Sequence, residues 1–228
     1  MSALYVYALL GQPPAGGLGR GLAGEPLRLL RCGPLLAVAG TVANAPAIDA
    51  TSLRGHDRTV RRLTDMVDAV LPVRFCTLVD DEAALAGLLA PQTAELGEAL
   101  ALVGGREQMT LRLYGAGLAA AAAAREPDAE AEGPGARYLD ERLREQRRLH
   151  STPEIEAIRR ALGTLVLAER IERVDTPPLL ASLYHLIERG AGPRYLAALE
   201  AARAELGAIV ARPSGPWPPY AFAPGAVR

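Results

Sequence analysis

The sequence has no lysine; all 25 of its basic residues are arginine. That removes Schiff-base chemistry and the phosphate-cradling lysine of nucleotide-binding loops. Aromatic residues make up only 4% of the chain, with one tryptophan and two phenylalanines. Asn44 is the sole asparagine. With the heavy use of alanine, glycine and proline, these gaps read as a coding bias, not a functional device. Cysteine is nearly absent too. Cys32 and Cys76 form no CxxC motif and cannot build a zinc site alone, so both are expected as small buried hydrophobes in strands. No uninterrupted apolar run reaches about 18 residues, so no membrane-spanning helix is expected. The first residues alternate in polarity and break at Gln12-Pro13-Pro14, unlike a secretory signal, which makes the cytoplasm the expected compartment. Twenty-five basic residues against 26 acidic ones leave a net charge of -1 and no electrostatic case for nucleic acid or an anionic membrane.

What is present is enough for a core. Half of the 228 residues are hydrophobic, and a chain of this size buries roughly 70% of its unfolded surface. Period-2 alternation predicts strands over Ala3–Leu10, Leu27–Cys32 and Leu35–Val42, the last two a hairpin turning at Gly33-Pro34, with a Gly/Pro-rich loop over 11–25. After a connection over 43–52, a helix is expected to open at His56 or Asp57. Val60, Leu63, Val67 and Val70 make its apolar stripe. Asp80, Asp81 and Glu82 are expected at the start of the next helix, where acids suit the exposed N–H groups, and not as a metal site. Pro91 breaks that helix, and a further one ends at Gly104-Gly105.

The second half begins with a strand over 108–114. An Ala/Gly/Glu/Pro-rich stretch over 115–136 reads as a flexible insertion, with a local helix over 119–124 as an alternative. Helices are expected over 138–150 and 153–172, capped by Ser151 or Thr152. A short strand over 171–175, a strand over 180–187, a helix over 193–209 and a Pro-rich aromatic tail from 214 to 228 follow. This order, strand, helix, strand, strand, helix, tail strand, matches the βαββαβ sequence of a ferredoxin-like domain. The expected fold is α+β with two domains: residues 1–104, an N-terminal α+β domain, and residues 105–228, a ferredoxin-like domain carrying the insertion and the tail.

Leu71, Val73 and Phe75 alternate with Pro72, Arg74 and Cys76, the pattern of a strand following the first helix. Pro72 forces the helix to stop. Arg74 inside such a strand needs a counter-charge, because an unpaired buried cation is too costly. Glu107 is one candidate partner; the other role for Arg74 is binding a ligand anion or a partner. His56 reads as a surface or capping residue, His150 as a helix-end residue and His185 as a mid-strand residue without a visible partner. No nucleophile elbow or phosphate loop is present, and the glycines of 16–21 precede no helix. No catalytic, cofactor-binding or metal-binding residue is therefore nominated. In the tail, Trp217, Tyr220 and Phe222 cluster beside Pro216, Pro218 and Pro219. They either clip the tail to the body or form a protein-contact patch, since Trp and Tyr dominate interface hot spots.

These same segments resemble the gas vesicle protein F/L family (GvpF/GvpL). Leu71-Pro72-Val73-Arg74-Phe75-Cys76-Thr77, preceded by His56-Asp57, is similar to that family's LPxRFGT segment. Leu4-Tyr5-Val6-Tyr7 resembles its first strand, Gly105-Arg106-Glu107 its glycine-basic-glutamate element, and Gly215-Pro216-Trp217-Pro218-Pro219-Tyr220-Ala221-Phe222 its closing GPWPPYxF. Cys76 departs from the family, which has glycine there. The resemblance implies two α+β domains, the second a modified ferredoxin-like fold. It also implies a non-enzymatic role in building the gas vesicle: binding the hydrophobic main shell protein as chaperone, nucleation factor or minor shell component, alongside other gas vesicle accessory proteins. The partner-contact candidates are Trp217, Tyr220 and Phe222; no cofactor, nucleic acid or membrane is implied. The alternative is a ferredoxin-like small-molecule-binding protein or enzyme, which fold alone does not exclude.

Overall fold

Strand β1 (Ala3–Leu10) is buried almost throughout, Tyr5 and Tyr7 included at 0% exposure. A strand with no wet face needs covering on both sides, and β1 lies inside a five-stranded sheet. The computed structural model describes residues 2–116 and 152–225. It gives β2 (Leu27–Cys32) and β3 (Leu35–Val42) as an antiparallel hairpin in register Cys32↔Leu35, as the alternation predicts. The order is β2-β3-β1-β4, with β4 (Val70–Pro72) and β5 (Leu78–Val79) both pairing with β1.

Helix α1 (Ala50–Met66) starts earlier than expected. Asp49 caps it, its carboxylate accepting from the Ser52 N–H at 2.8 Å, a signal inside the expected connection. His56 is consequently mid-helix and 2% exposed, not a surface cap. Val60, Leu63 and Val67 are buried as their spacing predicts. Helix α2 (Glu82–Leu89) is capped by Asp81, and α3 (Thr93–Val103) follows a short 3-10 turn containing Pro91.

The segment expected as a strand through Cys76 is shorter. Leu71 and Pro72 face Leu9 and Ala8 of β1, and the Val73 N–H bonds the Tyr7 carbonyl at 2.9 Å. The chain then loops out. The Arg74 carbonyl accepts from the Thr77 hydroxyl at 2.8 Å, and β5 returns to β1 at Tyr5. Cys76 sits in this loop, half-buried, at φ 67°. That is the left-handed region that favours glycine, so the residue the resemblance expects has a backbone reason. Cys32 is buried in β2 as expected.

A second sheet has the order β7-β8-β6-β9, built from β6 (Arg106–Tyr114), β7 (Ala168–Thr176), β8 (Leu179–Glu188) and β9 (Val210–Trp217). Helices α4 (Pro153–Leu162) and α5 (Gly192–Ala201) supply its core with Ile155, Ile158, Tyr195 and Leu199. Both helices end before the lengths expected from sequence. Gly163 at φ 46° stops α4, freeing Ala168 onward to pair with β8, and Gly207 at φ 59° closes a 3-10 turn after α5. The expected insertion beyond residue 116, the helix over 138–150, His150 and Ser151 lie outside the described residues.

Contacts divide the chain into two compact units, Met1–Gln108 with Pro216–Arg228, and Met109–Gly215. The expected division at 104 placed the whole tail with the second half. From Pro216 onward the tail instead groups with the first, because its side chains bury there.

Candidate functional site

Two neighbouring stretches and the distant tail meet in the first unit around an open pocket of about 670 Å³. Helix α1 supplies Leu53, Arg54, His56 and Asp57. The β4 segment supplies Pro72, Arg74 and Phe75, and the tail supplies Trp217 and Tyr220. Phe75, Pro72, Leu53 and the two tail aromatics make its walls predominantly apolar.

The wall at Phe75 is built on a closed hydrogen-bond chain around His56. Its Nε2 lies 3.0 Å from the Val73 carbonyl, which only accepts, so Nε2 carries the proton. Nδ1 therefore accepts from the Tyr5 hydroxyl at 2.9 Å, and that hydroxyl accepts from the Cys76 N–H at 3.0 Å. Burial pulls His56 down to about 4, so it is neutral at pH 7. Burial also pushes the Tyr5 hydroxyl up to about 12. The imidazole stacks on Tyr7 at 5.5 Å between centroids and meets the Phe75 ring edge-on at 5.8 Å. Both ring nitrogens are occupied, so His56 fixes the 73–76 loop and has no lone pair to offer a reaction.

The tail wall is held by one arginine. Arg61 lies 4.6 Å from the Trp217 ring centre, donates to the Pro216 carbonyl at 3.2 Å and pairs with Asp57 at 2.7 Å. The Tyr220 hydroxyl also bonds Asp57; burial and that nearby charge keep the phenol protonated. Beyond Tyr220, Phe222 is 1% exposed and the Ala221 N–H donates to Gln108 Oε1 at 2.8 Å. Phe222 is thus a core anchor, not the contact residue its sequence position suggests. Trp217 remains 36% exposed and Tyr220 is half-buried, so both reach the pocket. Gly215 lies within β9 at φ 129°, a backbone conformation that residues with a side chain rarely adopt.

Arg74 is exposed on the rim, so the buried ion pair expected of it is not formed. Leu71 is buried in β4, and Glu107 is half-buried in β6. Sequence reasoning missed Leu53, Arg54 and Arg61, whose signal was the Asp49 cap that sets the helix phase. It also missed Glu25, 8% exposed, whose carboxyl accepts from the Tyr7 hydroxyl and from the Ala23 N–H at 2.9 Å. Gly40 makes room for it: a Cβ there would lie 2.5 Å from Glu25 Cγ.

In the second unit His185 does have partners. Its Nε2 donates to Glu169 at 3.0 Å and its Nδ1 lies 2.7 Å from the Tyr195 hydroxyl. Arg159 reaches Glu169 from the other side at 2.7 Å. His185 and Tyr195 are 1% and 0% exposed, while Glu169 and Arg159 reach solvent. Among the described residues no group of three or more His, Cys, Asp or Glu side chains is placed to hold a metal ion. No helix among them is long and apolar enough to cross a membrane.

The family model described as gas vesicle synthesis protein GvpL/GvpF matches residues 3–224. A curated relative, gas vesicle protein L of Streptomyces sp. (strain CB03234), is 31% identical over 253 residues, covering 96% of this chain and 92% of the relative. Among solved structures, GvpF from Microcystis aeruginosa superposes with a TM-score of 0.71 at 17% identity, covering 97% of this chain and 99% of that one. GvpF from Anabaena sp. PCC7120 gives 0.70 at 16% identity, covering 98% and 97%. These two share the mixed helix-and-sheet fold.

Proposed function

Because this chain belongs to the gas vesicle synthesis GvpL/GvpF family, we propose that it is a non-enzymatic accessory of gas vesicle assembly that binds the hydrophobic main shell protein through the pocket of the first unit. The observation that carries this is convergence. Of the stretches that resemble the family, the His56-Asp57 pair, the Leu-Pro-Val-Arg-Phe segment and the Trp-Pro-Pro-Tyr tail line one pocket, while Leu4–Tyr7 and Gly105–Glu107 do not. An apolar shell subunit is an aggregation hazard before it is assembled. An aromatic-walled site whose histidine is neutral and fully bonded suits holding such a chain better than transforming a substrate. The work is expected in the cytoplasm and at the gas vesicle, among its other accessory proteins. The order β7-β8-β6-β9 with two helices supports reading the second unit as a modified ferredoxin-like fold.

The test is co-expression with the main shell protein followed by affinity capture of this chain. Wild type retains the shell protein; Trp217→Ala with Tyr220→Ala loses most of it. Full retention by a folded double variant would reduce the tail to a clip and refute the reading. The pocket volume also lies within the range of small-molecule sites, about 300–1,000 Å³, which favours ligand binding as the second reading. Trp217 emission that responds to a metabolite mixture but not to the shell protein would support that one instead.

A further inference from the structure

The partner's chemistry can be read from the pocket's charges. Arg54 and Arg74 stand exposed at the rim. Among the described residues, neither guanidinium belongs to an ion pair. Asp57, the lining carboxylate, is already taken by Arg61 at 2.7 Å and by the Tyr220 hydroxyl. The pocket therefore offers two uncommitted positive charges beside apolar walls and no uncommitted negative one. A purely apolar occupant would leave both guanidiniums unused at its edge. A bare inorganic anion would gain nothing from Trp217, Phe75 and Pro72.

We propose that the occupant is a segment of the main shell protein carrying an Asp or Glu carboxylate next to a large apolar side chain. The apolar side chain packs on Trp217 and Phe75; the carboxylate accepts from Arg54 or Arg74, whose planar forks suit that geometry. This rests on the functional reading above and adds the acidic half of the recognition. Rim charges of this kind act more on encounter rate and selectivity than on final affinity, and they weaken as salt rises.

The experiment is capture of co-expressed shell protein on this chain carrying Arg54→Glu and Arg74→Glu, beside Arg54→Gln with Arg74→Gln, and beside Trp217→Ala. Folding is checked by thermal unfolding of each variant. The charge-reversed pair is expected to retain roughly tenfold less shell protein than wild type, and the Gln pair an intermediate amount. Wild-type retention is expected to fall between about 0.05 and about 0.5 M salt while the Gln pair's changes little. An Asp or Glu to Arg change in the shell protein that restores capture by the charge-reversed pair would identify the residue that is read. Wild-type capture by the charge-reversed pair, with Trp217→Ala deficient, overturns the acidic recognition but leaves the functional reading standing. Wild-type capture by all three variants overturns both.

Discussion

A substitution at His56 tests how the loop under the pocket is held. In the unfolded chain its imidazole has the ordinary pKa of 6.5; burial lowers this to about 4 in the native protein. Between those values the unfolded chain binds a proton that the native chain refuses. Stability from this residue is therefore complete above 6.5 and lost as pH falls toward 4. In full, the gap corresponds to about 3.4 kcal/mol, at about 1.36 kcal/mol per pKa unit. From about pH 7.5 to about pH 5, the loss is about 2 kcal/mol, because the unfolded histidine is nearly all charged there and the native one is not. That figure barely depends on the native value as long as it stays below 5. The assay is urea unfolding at both pH values, followed by emission of Trp217, which reports the first unit as the sequence's sole tryptophan. His56→Gln is expected to be less stable at the higher pH, having lost its contacts with Tyr7 and Phe75. Its further loss on acidification should be smaller than wild type's by about 2 kcal/mol, because the two proteins differ in no other group. Equal losses in the two proteins would refute the closed, neutral His56 network.

Two further substitutions probe the backbone and the second unit. Cys76→Gly relieves a left-handed residue worth roughly 1–2 kcal/mol and adds roughly 0.5–1 kcal/mol of unfolded-state entropy, so a gain of up to about 1.5 kcal/mol is expected, while Cys76→Val loses more than about 1 kcal/mol; a thermal midpoint that falls for glycine and holds for valine would refute the strain. At Glu169, burial alone would raise the carboxyl, but hydrogen bonds from His185 and Arg159 outweigh it and bring it down to about 2 from 4.5. Its stability is present above pH 4.5 and disappears as pH falls toward 2; Glu169→Gln is expected to lower protection of the β8 amides by about 2–3 kcal/mol at neutral pH, and hydrogen exchange indistinguishable from wild type would count against the pair.

Much of the scaffold was legible because local rules decided it. The Leu27–Cys32 and Leu35–Val42 hairpin is set by alternation and a Gly-Pro turn, and Asp81 caps where acids cluster. What escaped depends on distant partners. Arg74 reads as buried because its neighbours alternate, yet a hydroxyl from Thr77 and a left-handed Cys76 turn the chain out of the sheet. His185 shows no partner within its own strand; Glu169 and Tyr195 come from β7 and α5. The pocket was half visible. Its aromatic tail residues stood out by rarity, but Phe222 could be told from Trp217 only by which side of the tail the core lies on. Arg54 and Leu53 carried no mark of their own.

The walls of the pocket are synthesised in an order that matters. Trp217 and Tyr220 are made after every residue of Met109–Gly215, although they complete the earlier unit. On the ribosome, helix α1 and the 73–76 loop emerge and wait, facing solvent, while the intervening hundred-odd residues are translated. It follows that the pocket is incomplete in any nascent chain that has not yet reached Tyr220.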